Sequence, residues 1–259
     1  MEWFFTLSGF FAGLVVGAVG VGGGALMTPL LILAFGVPPA MAVGTDLLYA
    51  SLTKFSGSVV HGLQGTVEWR VVGLLSLGSL PATIAALLFL RLHVSDGHHL
   101  ALVTSTALGI GLILSALSVL AGSLLKARDR KEFASIEMRG GRRAVLTMLL
   151  GGALGILVTL SSVGAGAVGI VLLLLLYPRI EIPKVVGTDI AHAVPLTLVA
   201  GLGHASMGNV DYGILGSLLL GSIPGILLGS RMGSRIPEKI LRSVLATILV
   251  FVGGRMLLV

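Results

Sequence analysis

The chain has 259 residues, of which 55% are hydrophobic and only 11% charged, and its mean hydropathy is +1.06. A soluble domain cannot bury so many apolar stretches, so the composition describes a polytopic all-α membrane protein whose first partner is the lipid bilayer. The net charge of +6 does not point to nucleic acid, because the basic residues sit at span ends and in one loop; without cysteine, disulfides, thiol nucleophiles and cysteine metal sites are excluded.

Met1-Glu2-Trp3 lacks a basic n-region, and the apolar run from Trp3 to Phe35 is too long for a signal-peptide core, so no cleavable signal is expected. That run carries no charge, and as one straight helix it would reach roughly 48 Å, well beyond a hydrocarbon core of ~30 Å. Gly20-Val21-Gly22-Gly23-Gly24 interrupts it. Glycine is a poor helix former that permits positive φ, so the run is expected to break there into a hairpin. A break at membrane depth survives only where protein or a water-filled cavity shelters the freed backbone groups. Its tip would present amides and a helix N-terminus, a site for an anion. Close helix packing through small residues is the competing reading, and it is the better one for Gly9, Gly13 and Gly17.

Pro38-Pro39 ends the run and opens a span towards Val60. A polar turn from His61 to Arg70 leads to spans at about 71–90 and 100–125, separated by a loop carrying His93, His98 and His99. No spacing of these histidines fixes a metal, and a solvated loop is expected. Residues 126–143 form the one long charged stretch, which divides a first transmembrane unit (1–125) from a second (144–259). The second unit repeats the first. Its apolar run from Ala144 to Tyr177 breaks at Ser161-Ser162-Val163-Gly164-Ala165-Gly166, and further spans follow at about 183–203, 213–229 and 240–258.

The two halves align in a constant register beyond the breaks. Val43-Gly44-Thr45-Asp46 matches Val186-Gly187-Thr188-Asp189, His61 matches His204, Glu68 matches Asp211, and Gly78-Ser79-Leu80-Pro81 matches Gly221-Ser222-Ile223-Pro224. This is an internal duplication. A double-passing hairpin plus three spans is an odd number of crossings, so the repeats are expected to be inverted. With the linker in the cytoplasm of a multi-pass cell-membrane protein, all but Arg91 and Arg255 of the 17 lysines and arginines fall on the cytoplasmic side. A parallel arrangement would send the cluster from Arg231 to Arg242 outside.

Inverted repeats with broken segments belong to transporters, with the site near the midplane. The expected substrate-binding set is Gly22, Gly23 and Gly24 with Thr45 and Asp46 in the first repeat. In the second it is Ser161, Ser162, Gly164 and Gly166 with Thr188 and Asp189. The tip amides would hold the anion without a fixed positive side chain. Asp46 and Asp189 lie ~10 Å deep in their spans, where a carboxylate usually serves an ion or proton path. The alternative is that Thr45-Asp46 and Thr188-Asp189 cap helices restarted after Gly44 and Gly187. His192 shares a helix face with Asp189 and, with Lys54, joins the carboxylates as a candidate for coupling. Lys54 has Thr197 at its repeat position and is expected to snorkel to the nearby interface. No nucleophile–base pair, nucleotide loop or cofactor motif is present in the sequence, so neither enzymatic activity nor a cofactor or metal is expected.

The stretch AGLVVGAVGVGGGALMTPLLILAFGVPPAMAVGTD, with the second VVGTD and the hairpin before it, resembles the TauE/SafE family of sulfite and organosulfonate exporters. The resemblance spans nearly the whole chain. It implies a permease for small sulfur-containing anions, with Gly22 to Gly24, Gly44 to Asp46, Gly164, Gly166 and Gly187 to Asp189 as the matching positions. Proton-coupled uptake by the same fold and an anion channel are the rival readings.

Overall fold

The computed structural model describes residues 2–19, 24–94, 97–127, 140–232 and 238–257, and every regular element among them is a helix. The first half comprises α1 (Glu2–Val19), α2 (Gly24–Phe35), α3 (Pro39–Leu63), α4 (Trp69–His93) and α5 (Gly97–Ala127). The second comprises α6 (Gly140–Ser161), α7 (Ala167–Leu176), α8 (Ile182–Ser206), α9 (Tyr212–Met232) and α10 (Glu238–Leu257). Among the described residues, four helices are long and apolar enough to cross a membrane: Trp69–His93, Gly97–Gly122, Gly141–Ser161 and Ile182–Ser206. Their outer faces, like those of α1 and α9, expose large apolar side chains such as Phe11, Leu77, Phe89, Leu149 and Leu220, as a lipid-facing surface requires.

The second long apolar run breaks where glycine is concentrated, while the corresponding stretch of the first is not described. α1 ends at Val19 and α2 begins at Gly24; the first tip, including Gly22 and Gly23, lies outside the described residues. In the second run α6 ends at Ser161 and α7 restarts at Ala167, through Ser162 (φ 58°), Gly164 (φ 117°) and Gly166 (φ 129°). Only glycine adopts the last two values without strain. α7 has 10 residues, or about 15 Å, half the hydrocarbon thickness. Its end returns to the start of α6, where the Tyr177 hydroxyl lies 2.8 Å from Thr147 Oγ1.

Helices of one half pack on helices of the other, and each pairing occurs twice or is reciprocal. α1 packs on α9 as α6 packs on α4, while α3 pairs with α8 and α5 with α10. Glycine lets these backbones touch. A side-chain carbon at Gly221 would collide with the Thr6 carbonyl oxygen, and one at Gly9 would sit 2.5 Å from that of Leu218. The matching seam brings Gly78 against the Met148 carbonyl and Gly151 against that of Leu75. Gly9 and Gly13 therefore serve packing, the role expected of them. α3 and α8 run antiparallel: Gly44 meets His204, Gly201 meets Leu48, Gly57 meets Ile190 and Gly187 meets His61. α1 and α9 run parallel, since the Gly9–Leu218 contact is followed one turn later by Gly13–Ser222.

Replacing Gly221 by Val forces a side chain into the Thr6 backbone and is expected to destabilise the protein by about 3 kcal/mol. Gly216, on the same helix, faces open space: a methyl group there would meet nothing within 4 Å. Gly216→Ala is accordingly expected to be neutral or mildly stabilising. Thermal unfolding in detergent checks both, and equal midpoints would dismiss the close-packed seam.

Candidate functional site

α3 and α8 cross in the middle of the molecule, and their early turns carry the duplicated Gly-Thr-Asp. Both helices run unbroken through these residues, so neither aspartate caps a restarted helix. The capping alternative is thereby removed, and the three residues of each copy divide their work between two sides of the helix.

Gly44 and Thr45 receive the turn after α8. The Asn209 carbonyl occupies the space a side chain at Gly44 would need, and the Asp211 amide donates to Thr45 Oγ1 at 3.0 Å. Gly187 and Thr188 receive the turn after α3 in the same way. The Thr66 carbonyl packs on Gly187, and the Glu68 amide donates to Thr188 Oγ1 at 3.0 Å. The two turns are copies of each other: Thr66 N–H donates to the His61 carbonyl and Asn209 N–H to that of His204, each at 3.0 Å. Thr188 Oγ1 also donates to the Lys184 carbonyl at 2.6 Å, so its hydroxyl proton is already used. The structure thus places Thr45 and Thr188, read from the sequence as substrate ligands, at the joints between the halves.

The aspartates turn inward and are fully buried. Asp46 Oδ2 accepts hydrogen bonds from Thr28 on α2 and, at 2.9 Å, from Ser162 in the second tip. Among the described residues its Oδ1 has no partner, nor has either oxygen of Asp189. The Asp189 carboxylate lies against α7, where a side-chain carbon at Gly169 would collide with Oδ1. The Gly166 amide approaches it without reaching ordinary hydrogen-bond geometry.

Lys54 does not snorkel. Its side chain is 8% exposed, and Nζ donates to the Ala165 carbonyl in the second tip at 3.0 Å, close enough to Asp189 and Asp46 to attract both charges. The physical reason is local: two buried carboxylates and an unpaired tip carbonyl compensate an ammonium group better than a thin path to the interface. The second tip therefore has a lysine amine beside it, contrary to the expectation of amides alone. At the repeat position Thr197 donates to the Ala193 carbonyl of its own helix.

Within the second tip, Ser161 Oγ accepts from the Val163 amide at 3.1 Å and donates to the Leu157 carbonyl at 2.6 Å. Ser161 thus holds the break in shape, while Ser162 reaches across to the other half. Among the described residues no acceptor meets the amides of Ala165, Gly166 and Ala167 in ordinary geometry. His192 faces α4, with Nε2 2.9 Å from Ser79 Oγ, and its Nδ1 has no partner. The tertiary structure therefore assembles Asp46, Lys54, Ser162, Gly166 and Asp189 about one tip and adds His192 beside it. Thr28 and Ser79 do not stand out as site residues in the sequence. The only signal at Thr28 is a hydroxyl in the otherwise apolar stretch from Ala25 to Phe35, immediately before Pro29.

Among known proteins, the family model described as "Sulfite exporter TauE/SafE" matches residues 5–256. The "Probable membrane transporter protein YjnA" of Bacillus subtilis is 39% identical over 251 residues, covering 97% of this chain and 98% of that protein. The "Probable membrane transporter protein YdhB" of the same organism is 27% identical, covering 90% and 91%. A "Probable membrane transporter protein" of Xylella fastidiosa is also 27% identical, covering 86% and 81%. No solved structure matches.

Removing the threonine hydroxyl at either joint leaves a backbone amide without its acceptor. Thr45→Val and Thr188→Val are each expected to cost about 1–2 kcal/mol. In the folded fraction, affinity for the transported anion should be unchanged. Unfolding midpoints together with anion binding test this, and a loss of affinity without loss of stability would return the threonines to the binding site.

Proposed function

The chain belongs to the sulfite exporter TauE/SafE family and is a membrane transporter, and on that premise we propose that it exports a small sulfur-containing oxyanion, sulfite or an organosulfonate, across the cell membrane. The observation that carries this reading is the second tip. It combines a chain break at Gly164 and Gly166, amides of Ala165 and Ala167 that meet no acceptor among the described residues, and the buried Lys54 amine bonded to the Ala165 carbonyl. Backbone amides at a helix N-terminus and one cation suit a compact oxyanion in a dry site. The first glycine-rich tip, Gly22 to Gly24, supplies the matching half of the site in this proposal.

The transport cycle follows from inverted repeats, with the tips on either side of the midplane and the linker 126–143 in the cytoplasm. The antiparallel α3–α8 crossing and the parallel α1–α9 crossing support that arrangement, as does the distribution of lysine and arginine. Export of an anion from a cell that is negative inside runs downhill electrically. The second reading, proton-coupled uptake, is favoured by two buried carboxylates standing against one lysine. An anion entering beside Asp46 and Asp189 adds a third negative charge, which an accompanying proton offsets.

Flux measured in proteoliposomes, for sulfite and a panel of sulfonates with and without a pH gradient, tests the substrate and separates the readings. Gly166→Val, at φ 129°, is expected to reduce flux by roughly tenfold or more while the protein stays monodisperse. Flux of no sulfur anion above empty liposomes would overturn the substrate assignment. A sulfonate flux that responds to the pH gradient, and loses the response in Asp46→Asn, Asp189→Asn, would establish proton coupling.

Topology is checked with single cysteines, the natural chain having none. A thiol placed at Arg235 and one placed within residues 126–143 are both expected to resist an impermeant reagent applied to intact cells. Labelling of one but not the other would overturn the inverted arrangement.

A further inference from the structure

The crossing of α4 with α6 and the return of α7 leave an open-mouthed pocket of about 170 Å³, lined by Arg70, Val71, Leu74, Arg143, Ala144 and Tyr177. It lies at the end of α6 that follows the charged linker, away from the central tip. Arg143 stacks over the Tyr177 ring, its guanidinium carbon 5.6 Å from the ring centre, and its buried Nε has no partner among the described residues. Tyr177 is itself pinned: Thr147 Oγ1 donates to the Arg143 carbonyl at 2.8 Å, leaving the Tyr177 hydroxyl to donate to Thr147. Among the described residues no carboxylate pairs with Arg70 or Arg143; the nearby Glu68 is taken by Lys184 at 3.0 Å.

Two arguments separate these arginines from the fold. Each stands in the first turn of its helix, where the helix dipole repels a cation, so helix formation does not call for them. The molecule also builds the same helix pair a second time without them. α9 packs on α1 through matching glycine contacts, yet Gly213 stands at the position of Arg70 and α1 carries no lysine or arginine. What the arginines add is a positive, partly sheltered pocket on one face only.

We propose that Arg70 and Arg143, the latter held by Tyr177, bind a phosphate-type oxyanion at the membrane boundary, carried by the headgroup of an anionic phospholipid. Two guanidinium forks suit the several oxygens of a phosphodiester, and the exposed rim at Arg70 leaves the glycerol outside. Basic pockets between transmembrane helices attract anionic headgroups in this way. Free phosphate has the same chemistry and is the other source of the ligand. The proposal is independent of which anion the central site transports.

The test uses the purified full chain in neutral detergent, titrated with short-chain phosphatidylglycerol, phosphatidylcholine or inorganic phosphate. Bound lipid is read by native mass spectrometry and phosphate by the shift in unfolding midpoint. Wild type is expected to prefer phosphatidylglycerol to phosphatidylcholine, and Arg70→Gln, Arg143→Gln to lower phosphatidylglycerol affinity by about tenfold or more. Arg91→Gln, at the other end of α4, should change nothing. Ala144→Leu, which fills the cavity but keeps both arginines, should also lose the ligand, so the question stays answerable if the double variant misfolds. Loss of the phosphate response with lipid binding intact would assign the pocket to the free ion. Unchanged binding of both probes in folded Arg70→Gln, Arg143→Gln or in Ala144→Leu would overturn the site.

Discussion

A backbone that breaks inside a bilayer has no water to satisfy it, and the rest of this structure follows from how the break is covered. The second tip leaves the helix at Ser161, and the Ser161 hydroxyl at once takes up the Val163 amide and the Leu157 carbonyl. Lys54 takes the Ala165 carbonyl, and Ser162 is anchored on Asp46 of the other half. Amides left over on such a tip are where an anion gains most from binding. In the proposed function, support of the break and preparation of the site are the same set of contacts.

That support needs the two halves to interlock closely, which glycine provides. Along α1–α9 and α4–α6 the carbonyl of one helix lies where the partner's side chain would be, so backbones approach to van der Waals contact. The Gly-Thr pairs of α3 and α8 use the same device on a smaller scale, each accepting the turn of the opposite half. Apolar attraction cannot hold helices together against lipid tails of equal polarity, so tight packing and inter-helix hydrogen bonds carry the association.

The duplication is faithful in packing and unfaithful in charge. Among the described residues Asp46 has two hydroxyl partners while Asp189 has none, Lys54 corresponds to Thr197 in the other repeat, and Arg70 corresponds to Gly213. Seams are repeated because both copies must solve one packing problem. Charges differ because the two ends of the transport path meet different surroundings and different chemistry.

Much of the fold was legible in the sequence. Apolar runs too long for one span, glycine clusters inside them and a register held across both halves pointed to an all-helical membrane protein, with the second run broken at its glycines, and the same residues carried the family resemblance. Burial of Asp46 and Asp189 could be read too, since each stands inside an apolar stretch. Hydropathy and spacing describe each segment against a uniform medium, and they say nothing of which distant segment lies opposite. So the sequence assigned Thr45 and Thr188 to the substrate, sent Lys54 to the interface and passed over Thr28. Tertiary structure decided these, because a hydroxyl or ammonium inside a membrane goes to whichever buried partner lies within hydrogen-bond reach, and for Lys54 that partner is the carbonyl of Ala165, in the other half of the chain.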